Sequence, residues 1–163
     1  MLVPMSEEAF RRFAAEEIEE YAQSNVKSGL WGAEVALDSA KKEFDRVLPQ
    51  GQITPEHYFL QILAPSSAEV VGWLWWAVIE RSGIREAFIF DIQIFEQFRR
   101  RGYARLALQE MERLARQAGL SRISLHVFAY NQPGQALYAA LGFAVTGLKM
   151  QKVLKVEPAG QKI

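Results

Sequence analysis

The stretch Ile92-Gln93-Ile94-Phe95-Glu96-Gln97-Phe98-Arg99-Arg100-Arg101-Gly102-Tyr103-Ala104 runs from an apolar strand pattern through a short loop into a helix start. A helix N-terminus leaves backbone N–H groups without partners, and its dipole favours an anion. Gly102 lets the main chain come close to such an anion, small Ala104 does not block it, and Arg99, Arg100 and Arg101 add positive charge at the same point. The physical reading is a pyrophosphate cradle made mostly of main chain. A plain helix start beside a solvated arginine corner accounts for the same residues without a ligand. The stretch lacks the Gly-x-x-x-x-Gly-Lys-Ser/Thr of a P-loop. It also lacks a Gly-x-Gly-x-x-Gly after an early strand, so a dinucleotide fold is disfavoured as well.

Working outward, Val70 to Glu80 is apolar on both faces, with Leu74, Trp76 and Val78 set against Val71, Trp73, Trp75 and Ile79. Such a strand lies inside a sheet covered on both sides. His57 to Leu63 and Glu86 to Phe95 flank it as an antiparallel meander, joined by the loop Pro65 to Ala68 and the turn Arg81-Ser82-Gly83. Nearer the amino terminus, Leu2 to Pro4 reads as a short edge strand. Ser6 is placed as a helix N-cap with Glu7 and Glu8 in the first turn. Phe10, Phe13, Ala14, Ile18, Tyr21 and Ala22 then recur at helical spacing until Lys27 to Gly29, and Trp31 to Val47 suggests a second helix. Downstream the pattern predicts a helix over Gly102 to Ala118 closed by Gly119, a strand over Arg122 to Phe128, and a short helix over Pro133 to Leu141. It predicts a last strand over Phe143 to Val156 with Gly147 inside it. The class is α/β (α+β), a mixed sheet flanked by helices, with a single domain over residues 1–157 and a polar tail over 158–163.

The chain has 163 residues, 19 Lys+Arg against 19 Asp+Glu, no cysteine and 50% apolar residues. That apolar content excludes the disordered class and supplies a sizeable core. Without cysteine there is no disulfide framework and no thiolate site. With only His57 and His126 a His-rich metal site is not expected, and no metal is. Zero net charge argues against electrostatically driven nucleic-acid binding. The amino terminus turns acidic at once and carries no visible targeting pattern. Val70 to Ile79 is too short to span a bilayer, so no membrane partner and a cytoplasmic location are expected.

Arg99-x-x-Gly102-x-Ala104 resembles the Arg/Gln-x-x-Gly-x-Gly/Ala acetyl-CoA signature of the GNAT acyltransferase superfamily. Downstream, Asn131-Gln132-Pro133-Gly134-Gln135-Ala136-Leu137-Tyr138 followed by Leu141-Gly142-Phe143 resembles that family's second signature. The two stand in the family's order and separation, and the preceding helices and strands match its layout, so the resemblance covers nearly the whole chain. More narrowly, Phe88-Ile89-Phe90-Asp91-Ile92 with Leu125-His126-Val127-Phe128 is similar to bacterial members of mostly unassigned substrate.

The resemblance implies a mostly antiparallel mixed sheet in which two central parallel strands, Ile89–Phe95 and Arg122–Phe128, splay to admit pantetheine. It implies that backbone groups of Ile92, Gln93 and Ile94 pair with pantetheine. The N–H groups of Arg100, Arg101, Gly102, Tyr103, Ala104 and Arg105 would hold the pyrophosphate, with Arg99 at the start of the loop and the adjacent arginines near the 3′-phosphate. The expected reaction is acetyl transfer from acetyl-CoA to a primary amine of a small molecule or protein by direct attack. In it Tyr138 is the general acid and the Ile94 N–H the oxyanion donor. Asn131 would bond pantetheine or hold the strand end; as a residue it also reads as a plain helix cap.

Some members place a Glu where this chain has Phe88, so that base is not carried over. Asp91, an acid in an apolar strand, is the candidate to bind or deprotonate the amine; a structural Asp bonded to a loop or to His126 reads as well. Glu86 is expected in solvent and His126 in the core. Trp31, Trp73, Trp75, Phe90 and Phe128 are candidates for an aromatic acceptor wall, with Trp31 and Glu34 near the first two helices. Dimers are common in the superfamily, so a homodimer is expected by analogy. A non-catalytic acetyl-CoA sensor or interaction module is the alternative function, and a nucleic-acid-binding domain using Arg99 to Arg101 a weaker one.

Overall fold

In the computed structural model, which describes residues 1–154, the strand with two apolar faces runs inside the sheet, as its pattern requires. The strands are β1 (Leu2–Pro4), β2 (His57–Leu63), β3 (Val70–Arg81), β4 (Ile84–Ile94) and β5 (Ile123–Leu125). They form one five-stranded sheet in the order β1-β2-β3-β4-β5. All neighbours are antiparallel except β4 and β5, which are parallel. Every residue from Val71 to Val78 is buried.

The helices α1 (Glu7–Lys27) and α2 (Ala33–Val47) cover one face, and α3 (Tyr103–Gln117) and α4 (Gln132–Ala140) the other. Ser6 does cap α1, its hydroxyl accepting from the Ala9 N–H at 3.1 Å. Phe10 and Phe13 bury themselves against Phe59, Trp73 and Trp75 of the first face. Phe13, with no exposed surface, meets both indoles edge-on at 5.5 and 6.0 Å between ring centres. Burying a side chain of this size contributes about 1.5–3 kcal/mol. On the second face Leu74, Trp76, Val78, Ala87 and Ile89 pack with Ala107, Leu108, Met111 and Ala115 of α3.

Three expectations fail. The strand over Arg122 to Phe128 shortens to Ile123–Leu125, the only residues that pair with β4. Past its end, Gln135 Nε2 donates to Phe128 O at 3.2 Å and to Ala129 O at 3.0 Å, tying this segment to α4. The last strand is absent over residues 143–154, where Val145, Leu148, Met150, Val153 and Leu154 are between 71% and 87% exposed. A strand needs a ladder partner, and β5 presents only three residues. The parallel pair is therefore not central: β5 is the sheet's edge among the described residues. Residues 155–157 of the expected domain and the expected polar tail over 158–163 lie outside the described residues.

Candidate active site

β4 pairs with β5 only from Ala87 to Ile89, while its ladder with β3 continues to Ile94. Beyond Ile89 the two parallel strands part. Phe95 N–H donates to Val71 O at 2.9 Å, and the register from Trp75–Asp91 to Gly72–Ile94 is unbroken. Antiparallel ladders alternate, so the N–H and C=O groups of Ile92 and Ile94 point away from β3 into the gap. Arg99 Nε donates to Ile94 O at 3.0 Å, which ties the start of the next loop to the end of β4.

A bulge decides which side chains reach the site. The register shifts between Trp75 and Trp76: Trp75 faces Asp91 and Trp76 faces Ile89, leaving Phe90 as the extra residue of β4. Side chains alternate on either side of it, so Phe88 and Phe90 share a face with Asp91 and Gln93. That face looks at α1. Phe90 stacks on Trp75 at 4.3 Å and 13°, and Gln93 Nε2 donates to Glu20 Oε1 at 2.5 Å. Ile89, Ile92 and Ile94 meet the α3 side.

A cavity of about 540 Å³ opens here, bringing Asp91, Gln93, Arg99, Asn131 and Tyr138 together with Glu17 and Glu20. Asp91 Oδ2 is buried with no hydrogen-bond partner. Burial first, and Glu20 next, push its pKa up from 3.8 to about 7, against the Ile92 N–H and the Trp73 side chain, which pull it down. Glu17 is raised well above its ordinary value by burial, then by Asp91 and Glu20. Burial, helped by Asp91, pushes the Tyr138 phenol up to about 12, so it holds its proton at neutral pH. Its ring is fixed edge-on against Phe143 at 5.7 Å.

The arginine loop reaches α3 through Arg100 at φ 64° and Gly102 at φ 83°. No side chain caps α3, so the N–H groups of Tyr103, Ala104 and Arg105 have no helical partner, the first being Leu106 N–H to Gly102 O at 3.1 Å. A methyl on Gly102 would meet no protein atom within 4 Å; the glycine answers its left-handed backbone, and the space beside it is open. Arg101 lies over the Phe98 ring at 5.7 Å, and Arg99, Arg100, Arg101 and Arg105 are all exposed. Asn131 caps α4, its Oδ1 accepting from Gly134 N–H at 3.0 Å.

Several expected placements are corrected. Glu86 is not solvated but 6% exposed. His126 is not a core residue: it lies past the end of β5, exposed, on the cavity rim against Phe128. No hydrogen bond joins it to Asp91 Oδ2, which has no partner. Trp75, Phe90 and Phe128 line the cavity, whereas Trp73 packs in the core, Trp31 packs on Tyr21 at 5.3 Å, and neither Trp31 nor Glu34 lines it. Glu17 and Glu20 escaped the sequence reading. The signal was there, since Glu17 falls four residues after Phe13 and three after Ala14, on the apolar stripe of α1.

Comparison with known proteins fits this geometry. Residues 14–143 match the Acetyltransferase (GNAT) family. The chain is 40% identical to the uncharacterized N-acetyltransferase YycN of Bacillus subtilis strain 168, over 94% of this chain and 98% of that protein. It is 35% identical to the uncharacterized N-acetyltransferase YdgE of the same organism, over 94% and 97%. The crystal structure of YycN superposes with a TM-score of 0.88 at 38% identity, covering 94% of this chain and 98% of that one. With a family match across most of its length and relatives this similar, the chain belongs to the GNAT family and is an acyltransferase of the N-acetyltransferase type.

Proposed function

We propose that the chain transfers the acetyl group of acetyl-CoA to a primary amine by direct attack. The observation that carries this reading is the parting of β4 from β5, with Asp91 and Tyr138 lining the same cavity. Main-chain groups of Ile92 and Ile94 face a gap of one missing strand, where an extended amide-bearing arm pairs as a strand does. Gln93, between them, turns its backbone to β3 and its side chain to α1. The uncapped N–H groups of α3, with Arg99, Arg100 and Arg101 nearby, suit a diphosphate. Asn131, already engaged in its cap, keeps Nδ2 for the arm. Acetyl-CoA supplies an activated thioester carbonyl. The Ile94 N–H donates to the oxygen that gains charge. Tyr138, protonated well above neutral pH, donates to the departing sulfur. Asp91, poised near neutrality, accepts a proton from the amine.

The test is release of free CoA thiol from acetyl-CoA across a panel of amines, amino acids, aminoglycosides and peptides. Thiol release that depends on an amine, with a mass gain of one acetyl group, is expected. Saturable acetyl-CoA binding with no transfer to any acceptor would leave a coenzyme-binding module instead.

A further inference from the structure

The acceptor end of the cavity carries more carboxyl groups than the transfer of one acetyl group requires. Glu17 and Glu20 project from α1, and Asp91 from β4, into the same space. None of the three takes part in an ion pair among the described residues. The cations near them are engaged elsewhere: Arg46 with Glu43 at 2.6 Å, Arg99 with Ile94 O, and Arg81 over the Phe88 ring at 5.0 Å. Two acceptor atoms, Asp91 Oδ2 and Gln93 Oε1, are buried there with no donor. Buried acceptors without partners are rare, because each has lost its water without a donor to replace it. The three carboxylates are not spaced for a metal ion; no such group of three exists among the described residues. Trp75, Phe90 and Phe128 line the same cavity, and this apolar aromatic wall suits an alkyl chain.

We infer that the acceptor is a small molecule with at least two ammonium groups joined by an apolar chain, a diamine or polyamine. This rests on the acetyl-transfer reading above. The reacting nitrogen sits at Asp91 Oδ2 and Gln93 Oε1, facing Tyr138, and the second ammonium sits between Glu17 and Glu20. Transfer breaks the thioester C–S bond, forms an amide C–N bond, and releases the CoA thiol and one proton. The reacting nitrogen thereby loses its positive charge, so product leaves a site that held two cations with only one.

The experiment compares α,ω-diamines from propane to octane with the matching monoamines and with lysine, in acetyl-transfer kinetics. The expected result is a kcat/KM for the best diamine at least tenfold above its monoamine. Glu17→Gln and, separately, the more exposed Glu20→Gln should bring that ratio close to one, with melting curves verifying that each variant is folded. A bis-trimethylammonium alkane, which has no nitrogen to acetylate, is titrated in parallel by quenching of tryptophan fluorescence and should bind competitively with the diamine. Equal rates for diamine and monoamine overturn the inference, as does a ratio that survives both substitutions. If the bis-quaternary probe binds and both substitutions weaken it, yet no amine is acetylated, the dication site stands and the acetyl-transfer reading fails.

Discussion

The two halves of β4 teach different lessons. From Ile84 to Ile89 the strand lies between β3 and, over its last residues, β5, with Ala87 at 0% and Ile89 at 3% exposure. From Phe90 to Ile94 it keeps β3 on one side and no strand on the other, where only the Arg99 side chain bonds Ile94 O, and every residue is partly exposed. The first half is ordinary sheet interior. The second is a strand edge held rigid by its one neighbour, so its free main-chain groups already lie in line for an extended ligand. The bulge at Phe90 divides the halves and turns Asp91 and Gln93 toward α1.

The sharpest way to break this division is at the far half. Tyr138→Phe removes a single oxygen. A general acid contributes about 10²–10⁴-fold, so kcat should fall by at least about 10² while acetyl-CoA affinity, by calorimetry, stays within about twofold. Equal loss in both would make Tyr138 a binding residue.

Gly72 and Ala87 sharpen the contrast through packing. A Cβ on Gly72 would stand 2.0 Å from the Gln93 carbonyl oxygen, and neither backbone can yield without moving the far half. Gly72→Ala should therefore cost about 1–3 kcal/mol and weaken acetyl-CoA binding about tenfold. Ala87→Gly in the near half should cost about 1–2 kcal/mol, from one lost methyl and a looser backbone, and leave that affinity alone. Denaturant melts and calorimetry on the pair decide it: parallel losses of affinity would mean the halves are not separable.

Asp91 sets stability against function. Its folded pKa is raised from 3.8 to about 7, so the folded chain binds more protons than the unfolded one between those values. Folding stability therefore falls as pH rises through that window. Asp91→Asn should lose most of its activity yet melt higher than the parent at pH 8, by about 2–4 °C for each kcal/mol recovered. The gain should vanish below about pH 4. A variant that melts lower at pH 8 would mean that Asp91 holds the fold together.

The long, strongly patterned elements were legible without coordinates. The two-faced run at Val71–Ile79 placed an interior strand, Ser6 placed the start of α1, and the spacing of Arg99, Gly102 and Ala104 placed the start of α3. What escaped depended on partners rather than on local pattern. Residues 143–154 have strand-like composition, but a strand exists only against a neighbour, and β5 offers only Ile123–Leu125. His126 looked interior because its strand was expected to run to Phe128. Glu17 escaped because a charge on an apolar stripe reads as noise until a second acid, on another element, stands opposite it.

The smallest effect lies under the boundary between the halves. Trp75 Nε1–H donates to His57 Nδ1 at 3.0 Å, and the imidazole stands 5.5 Å from the Phe90 ring. Burial lowers the His57 pKa from 6.5, with Glu56 opposing it weakly. A folded pKa below the unfolded one means that the stabilisation is present above about pH 6.5 and is lost as pH falls through the folded value. Protonating Nδ1 also removes the indole's acceptor, a neutral hydrogen bond of about 0.5–1.5 kcal/mol. Between pH 7 and 5 the parent should lose stability relative to a His57 variant that cannot titrate, against the gain that both draw from protonating Asp91, and its tryptophan emission should shift. His57→Gln, which keeps an acceptor but does not titrate, should flatten the emission curve and leave only the Asp91 slope in stability. Because this hydrogen bond holds Trp75 against the bulged Phe90, the same titration should weaken acetyl-CoA binding slightly; affinity that stays flat while emission shifts would place His57 with the near half alone.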